Sequence, residues 1–232
     1  MTVERIDGPR EVFGNPLKHA AHRADVIRLE KLLSLGGIYL DADVFVHRSF
    51  DPLLGRRMVL GEELVDGKAV GLCNAVILAE AQAPFLSRWY SEYRSFRSGG
   101  HDNYWDEHSV AIPYQLSKKY PDEVTVLPHY TFFWPTFTEH GIARIFDSAE
   151  PIDTSLAYAN HLWESPAWDR YLKHLTPKRV RNVYSNFHEW ARPMVEALPD
   201  DFGAPGTVIR IAHGAQQTAR RVRTVLRKKV LR

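Results

Sequence analysis

The chain has 232 residues, a single cysteine, 44% hydrophobic residues and 25% charged residues. This length and composition predict one ordinary domain with a substantial core, and they exclude a disordered, collagen-like or disulfide-stapled protein. The formal net charge is only +2, but no acidic residue follows Asp201, and residues 203–232 carry a charge of +8. The chain is therefore an acidic body followed by a basic tail.

The predicted elements alternate between helix and strand. Apolar residues at the helical period predict a first helix over residues 16–35, which Asn15-Pro16 begins and Gly36-Gly37 ends. A β-rich run follows over residues 38–46 and carries Asp41 and Asp43. Further strands are predicted at 57–61, 69–78, 124–127 and 158–163, and further helices at 84–96, 105–119, 180–196 and 208–231. This alternation indicates an α/β domain over residues 1–202.

The basic tail, residues 203–232, mixes apolar residues with its cations. That pattern predicts an amphipathic C-terminal helix that contacts an anionic membrane surface, with a solvated helix packed on the body as the alternative. No aromatic stacking pattern accompanies the charge, so no nucleic-acid partner is expected. The chain also lacks a visible secretory signal and an apolar run of roughly 20 residues. We therefore expect a cytoplasmic protein that binds membranes peripherally.

Polar residues recur on both sides of the glycine pair. Asp25 and Arg28 lie one helical turn apart, roughly 12–17 Å before Gly36-Gly37 at the helical rise. Asp41 and Asp43 follow the glycines by roughly 13–20 Å at the rise of a strand. The matching distances predict that three carboxylates and a guanidinium converge near a strand end. Such a set suits Mg²⁺ or Mn²⁺ together with a phosphorylated, polyhydroxylated ligand.

An Asp-x-Asp tripeptide alone often only ends a strand, but the longer string is more specific. The pattern Ala24-Asp25-x-x-Arg28, then Gly36-Gly37-Ile38-Tyr39-Leu40-Asp41-x-Asp43, resembles the sugar-binding region of DXD-containing glycosyltransferases of family 32. That family includes Golgi mannosyltransferases, and a similar signature occurs in the large glucosylating toxins. The resemblance implies a glycosyltransferase A-like fold, a Rossmann-like mixed sheet flanked by helices. Because only 40 residues precede Asp41, we expect that fold to be shortened at the N-terminus.

The resemblance also implies roles for single residues. Asp25, Arg28, Tyr39 and Asn74 would bind the donor sugar, although Tyr39 and Asn74 equally suit core positions. Asp41 and Asp43 would be the catalytic aspartates. The metal ligands would be Asp43, Asp41 and His161, and the alternative for His161 is a structural role.

Three later residues occupy the places of acceptor or diphosphate contacts in the family. These residues are Glu107, His108 and Trp163. Glu107 and His108 also fit a plain exposed helix start, which is the alternative interpretation of that pair.

By resemblance, the reaction would be metal-dependent, retaining transfer of a hexose from a UDP- or GDP-hexose to a saccharide, lipid or protein hydroxyl, in polysaccharide or glycolipid biosynthesis. Mn²⁺ or Mg²⁺ would be the cofactor. No residue stands out as a covalent nucleophile, which favours front-face displacement.

One alternative is a haloacid-dehalogenase-type phosphatase with Asp41 as its nucleophile, because an apolar run before Asp-x-Asp-Val resembles that class too. The other is a non-catalytic, sugar-binding accessory protein derived from a glycosyltransferase.

Overall fold

The computed structural model describes residues 5–201, which divide into two compact units. The first unit runs to Ile142 and includes Asp153–Trp163, and the second comprises Ala143–Ile152 and the residues from Glu164 on. Every candidate site residue lies in the first unit. The predicted tail helix and the boundary at residue 202 fall outside the described residues. Within residues 5–201, no helix is both long and apolar enough to cross a membrane.

Short strands and helices alternate along the chain. The strands are β1 (Glu11–Val12), β2 (Asn15–Pro16), β3 (Gly37–Leu40), β4 (Val44–Val46), β5 (Met58–Val65), β6 (Lys68–Ala79), β7 (Thr125–Leu127) and β8 (Ala159–His161). The helices are α1 (Ala20–Leu35), α2 (Pro84–Glu92), α3 (Ile112–Lys119), α4 (Glu139–Phe146), α5 (Glu164–Ala167), α6 (Pro177–Asn182) and α7 (Asn186–Val195).

The first unit is built on a four-stranded mixed sheet with the order β3-β6-β5-β7. β3 and β5 each pair antiparallel with β6, and β7 joins β5 in parallel. β4 and β8 form a separate antiparallel pair in which Val44 lies opposite His161. A mixed sheet with helices packed against it is consistent with a glycosyltransferase A-like fold, although most of the pairing is antiparallel.

One cluster of buried side chains holds α1, α2 and α3 against this sheet. α1 contributes Val26, Leu29 and Leu32, which are at most 4% exposed. They pack with apolar residues of β5, β6, α2 and α3, among them Met58, Leu60, Leu72, Ile77, Phe85, Leu86, Trp89 and Leu116. Because burial of apolar area is the main stabilising term in folding, this cluster fixes α1 relative to β3 and β6.

The start of α1 differs from the prediction. The helix begins at Ala20 rather than at residue 16, because Asn15-Pro16 pairs with Glu11-Val12 as a short antiparallel ladder. The Asn15 side chain donates to two distant carbonyls, those of Tyr93 and Arg94, and does not cap the helix. The predicted end is confirmed: Gly36 has φ 65° and its N–H donates to the Leu32 carbonyl.

Other predicted elements are divided in the structure. The run over residues 38–46 is two strands, β3 and β4, because the Asp-x-Asp segment forms a turn between them. The helix predicted over 105–119 is a π-helical turn, Glu107–Ala111, followed by α3. The helix predicted over 180–196 is α6 and α7, since Ser185 begins a new helix by accepting a hydrogen bond from the His188 N–H.

Candidate active site

The Arg28 guanidinium is the centre of a buried polar network. It is 4% exposed, and protein acceptors surround its nitrogens. Nε donates to the Ala24 carbonyl at 3.3 Å, and Nη1 to the Asn74 carbonyl at 2.7 Å and to Asp41 Oδ2 at 3.3 Å. Nη2 lies 3.3 Å from Asp25 Oδ1 and 3.2 Å from Asp41 Oδ1. The guanidinium therefore donates three hydrogen bonds, through Nε and Nη1, and forms two ion pairs through Nη2.

Asp25 is held by two partners through one of its oxygens. The Asn74 side-chain amide donates to Asp25 Oδ1 at 2.7 Å, and Arg28 contacts the same oxygen. Burial raises the pKa of Asp25, while Arg28 and then Asn74 act in the opposite direction. Among residues 5–201, no hydrogen bond reaches Asp25 Oδ2, so this oxygen is available to accept one from a ligand hydroxyl.

Tyr39 connects this network to the Asp-x-Asp turn. Its hydroxyl donates to Asp41 Oδ1 at 2.6 Å, and its ring lies 4.5 Å from the Arg28 guanidinium carbon. Burial raises the pKa of Tyr39, so its hydroxyl stays protonated and remains a donor. Tyr39 therefore positions Asp41, and it also packs against the buried core cluster.

Asp41, Asp43 and His161 form the group with metal-ligand geometry within the described part of the chain. One potential ligand atom from each lies within 4.8 Å of the others. His161 Nε2 is 3.1 Å from Asp43 Oδ2, and the strand pairing that places Val44 opposite His161 brings the two together. Two carboxylate oxygens and an imidazole nitrogen are a donor set suited to a divalent metal. The three residues therefore fit the predicted metal site.

The three side chains that were predicted to contact the acceptor or the diphosphate contact other groups of the protein. Glu107 pairs with Arg97 at 2.5 Å, and this hydrogen bond lowers the pKa of Glu107. His108 is 3% exposed, with Nε2 3.2 Å from the Glu92 carbonyl.

Trp163 is likewise packed into the protein. It is 6% exposed, and its indole N–H donates to the Pro135 carbonyl at 2.9 Å. Its ring lies 4.1 Å from that of His161 and packs against it. A substrate contact by Glu107, His108 or Trp163 stays a prediction.

Two residues near this site were not identified from the sequence. His22 is 2% exposed, its Nε2 lies 3.1 Å from the Trp105 carbonyl, and its charge acts to lower the pKa of Asp25. Glu63 lies on β5, where burial raises its pKa, while a hydrogen bond with the Cys73 side chain and then His161 act in the opposite direction. An acidic residue inside a β-rich run was the signal for Glu63 in the sequence.

The chain matches known proteins over the region that carries this geometry. Residues 10–60 match the family described as the glycosyltransferase sugar-binding region containing the DXD motif. The chain is also 36% identical over 208 residues to "Glucan organizing enzyme 1" of Cryptococcus neoformans var. grubii. That alignment covers 87% of this chain and 56% of the fungal protein, so the chain spans about half the length of this curated relative. No solved structure matches the chain.

The family match and the geometry concern the same residues. The matched region contains Asp25, Arg28, Tyr39, Asp41 and Asp43. In the structure these five residues form one connected site with Asn74 and His161. Over residues 10–60, the chain is therefore similar to the family of glycosyltransferase sugar-binding regions that contain the DXD motif.

Proposed function

We propose that this chain transfers a hexose from a nucleotide-sugar donor to a hydroxyl acceptor, with a divalent metal and with retention of the anomeric configuration. The observation that carries the proposal is the joining of two sets of residues through Asp41. Asp25, Arg28 and Asn74 form a polar pocket, and Asp43 and His161 complete a metal-ligand set. A nucleotide-sugar needs both sets, because it combines a polyhydroxylated ring with a diphosphate.

The polar pocket is suited to the donor sugar. Asp25 Oδ2 accepts hydrogen bonds from sugar hydroxyls, and Asn74 fixes the carboxylate from the other side. All three nitrogens of the Arg28 guanidinium contact protein acceptors, so Arg28 acts here by positioning Asp25 and Asp41. The pocket is organised before the donor arrives, which reduces the entropy lost on binding.

The donor set favours Mn²⁺ over Mg²⁺. Asp41, Asp43 and His161 supply oxygen and nitrogen ligands, whereas Mg²⁺ prefers oxygen ligands with near-octahedral geometry. When bound, such a metal neutralises negative charge on the diphosphate leaving group. Trp163 packs against the His161 ring, and Tyr39 donates to Asp41, so the protein itself orients two of the three ligands.

The proposed acceptor class is chosen from the name of the fungal relative. The name of the fungal relative refers to glucan, which supports a glucose-containing saccharide as the acceptor and UDP-glucose as the first donor to test. Lipid and protein hydroxyls, and GDP-mannose as the donor, remain further candidates.

The basic tail supports a proposed site of action at a membrane. Its charge of +8 would attract the tail to anionic lipid, at about 1 kcal/mol for each cation near the surface. Sedimentation of the full chain with phosphatidylserine vesicles should fall when Arg220, Arg221 and Arg223 are replaced by Glu. Equal sedimentation of the two proteins would contradict membrane binding by the tail.

The experiment compares wild type, Asp43→Asn and His161→Gln by calorimetry and turnover, with a panel of nucleotide sugars and with or without Mn²⁺. Both variants should bind Mn²⁺ at least about tenfold more weakly and lose most sugar release. Asp51→Asn is the matched control, because Asp51 is an exposed aspartate on the turn after β4.

Three outcomes would contradict the proposal. Phosphate release from simple phosphomonoesters, without action on nucleotide sugars, would favour the phosphatase. Metal-independent sugar binding without turnover would favour an accessory protein. Inversion at the anomeric carbon, seen by NMR of the first product, would overturn the retaining mechanism alone.

A further inference from the structure

The second unit contains a cavity whose residues the proposed function does not use. Its volume is about 120 Å³, and residues of α4, α6 and α7 contribute to its lining. A cavity of roughly 150 Å³ accommodates a benzene molecule, so this one has room for a ligand of about that size. The lining includes Phe146, Asp147, Tyr171, Arg179 and His188, which all belong to the second unit.

One ring nitrogen of His188 is engaged by the residue that begins α7. Burial, followed by the charges of Arg179 and Arg192, lowers the pKa of His188, so its ring is neutral near neutral pH. Nδ1 lies 2.6 Å from Ser185 Oγ, which also accepts the His188 backbone N–H at 3.5 Å. A proton on Nδ1 would leave the hydroxyl hydrogen of the fully buried Ser185 without an acceptor among residues 5–201. Nδ1 therefore accepts from Ser185, and Nε2 carries the ring proton.

The Nε2–H of His188 is a buried donor. The side chain is 3% exposed, and Nε2 has no hydrogen-bond partner within the described part of the chain. Most buried donors in folded proteins are paired, because an unmade hydrogen bond is costly. Since His188 lines the cavity, an oxygen atom of a ligand bound there would supply the acceptor.

Arg179 adds a positive charge to the same cavity. It is exposed on α6, and no carboxylate among residues 5–201 forms an ion pair with it. The other two arginines of this region are paired: Arg170 lies 2.7 Å from Asp147, and Arg192 lies 2.8 Å from Glu189. The charge of Arg179 is therefore available to an anion.

Asp147 also lines the cavity, but it does not cancel the charge of Arg179. Its Oδ2 accepts hydrogen bonds from Arg170 Nη2 and from the Tyr171 hydroxyl. The pair of Arg170 and Asp147 is neutral overall, so one positive charge remains in excess at the cavity.

The rest of the lining is largely apolar. The Phe146 and Tyr171 rings are stacked, with centroids 4.8 Å apart and planes at 16°. Leu175 and Val183 extend this wall. An apolar wall beside a cation and a neutral donor suits a ligand that combines a short carbon chain with an anionic group.

The charges favour a carboxylate as the anionic group. A carboxylate has one negative charge, which Arg179 balances, and two oxygens that accept from Arg179 and from His188 Nε2–H. A phosphate monoester carries close to two negative charges near neutral pH, so part of its charge would stay unbalanced beside Asp147.

We propose that this cavity is a binding site for a small monocarboxylic acid, whose carboxylate accepts hydrogen bonds from Arg179 and from His188 Nε2–H. The inference is independent of the proposed glycosyl transfer, because the cavity lies in the second unit and the sugar and metal residues lie in the first.

The test follows the histidine signals of the full chain, labelled with ¹⁵N-histidine, by NMR near neutral pH. Sodium butyrate is the probe, butyramide is its neutral counterpart of the same shape, and inorganic phosphate is the alternative anion. His188→Asn identifies the His188 signal. Arg179→Gln removes the cation, and Lys178→Gln is the matched control, because Lys178 is an exposed neighbour on α6 that does not line the cavity.

Butyrate should shift the His188 Nε2 signal saturably, and butyramide should not. In Arg179→Gln the butyrate Kd should rise at least about tenfold, the size expected for lost hydrogen bonds between charged groups, and in Lys178→Gln it should stay within about twofold. The signals of the other histidines should match wild type in both variants, which shows that the variants are folded.

Four results would overturn the proposal. They are the absence of a saturable shift with butyrate, an equal shift with butyramide, an unchanged butyrate Kd in Arg179→Gln, and tighter binding of phosphate than of butyrate. The last result would make the cavity a phosphate site.

Discussion

Arg28 and Asp41 are 13 residues apart in the chain, yet the Arg28 guanidinium lies 3.2 Å from the Asp41 carboxylate. This ion pair joins α1 to the turn that follows β3, across the reversal at Gly36-Gly37. A Cβ on Gly36 would lie 2.6 Å from the Ala81 backbone nitrogen, so the reversal requires glycine. The sugar pocket and the metal-ligand set are therefore connected through one tightly fitted turn.

Replacing Arg28 with Met should destabilise the fold strongly. The change leaves Asp25 and Asp41 without the cation between them, and breaking a buried pair in this way costs about 3–5 kcal/mol. Urea unfolding near neutral pH measures the loss. Arg88→Met is the control, because Arg88 is exposed and solvent screens its ion pair with Glu123, so the loss of that pair should change stability little. Equal losses in the two variants would show that the Arg28 network does not stabilise the fold.

Replacing Asn74 with Ala should separate the sugar pocket from the metal site. Asp25 loses the amide that donates to it at 2.7 Å, so the UDP-glucose Kd should rise about tenfold. The Mn²⁺ Kd should stay close to that of wild type, because Asn74 is not in the metal-ligand set. Calorimetry provides both values, and Asn103→Ala on an exposed loop is the control. An equal loss of Mn²⁺ affinity would contradict the separation.

Replacing Gly71 with Ala should displace the π-helical turn. The new Cβ would meet the Val110 side chain at 2.1 Å and its carbonyl oxygen at 2.9 Å, and overpacking of this kind costs about 1–3 kcal/mol. Thermal unfolding measures the cost. Gly99→Ala is the matched control, since its Cβ would meet only Asp102 at 3.4 Å. Val110→Ala in the Gly71→Ala background should recover part of the loss, and no recovery would show that Val110 is not the obstacle.

His188 should make the second unit sensitive to acid. Burial, followed by the charges of Arg179 and Arg192, lowers the pKa of His188 to about 4, from an ordinary value of 6.5. Between these values the unfolded chain binds a proton that the folded chain does not. The stabilisation is therefore complete above pH 6.5 and is lost as the pH falls toward 4, by roughly 3 kcal/mol in total.

The pH dependence can be assigned to His188 by substitution. His188→Asn keeps a polar atom near Ser185 Oγ, which lies 2.6 Å from His188 Nδ1, and it removes the titration. The free energy of unfolding should fall less in this variant than in wild type between about pH 7.5 and about pH 5. His174→Asn, at an exposed histidine, should behave as wild type. Equal pH dependence in wild type and His188→Asn would contradict the assignment.

Local signals predicted the elements whose ends are set by neighbouring residues. Gly36 ended α1 as expected, because its φ of 65° is a conformation that glycine adopts without strain. The start of α1 was wrong because Asn15 binds carbonyls 78 and 79 residues away, which a local pattern does not contain. The short helix α4 was also missed, since only eight residues form it.

The candidate site was predicted where the motif is contiguous. Asp25, Arg28 and Asp41 follow from a helix and a strand that reverse at a glycine pair, and the structure brings them together. The buried state of Arg28, with protein acceptors at all three of its nitrogens, was not predictable because the Asn74 carbonyl comes from a distant strand. Glu63 was missed for a similar reason, since its position depends on the register of β5 against β6.

The acceptors around Arg28 also determine which sugars the pocket would tolerate. Arg28 lies between the carboxylates of Asp25 and Asp41, so these three residues together carry a net negative charge when both carboxylates are ionised. Arg28 already faces two carboxylates and therefore does not offset an additional negative charge on a sugar. A uronic acid placed there would set its carboxylate against that of Asp25, at a cost that increases in a buried, low-dielectric site. The pocket should therefore discriminate in favour of uncharged hexoses.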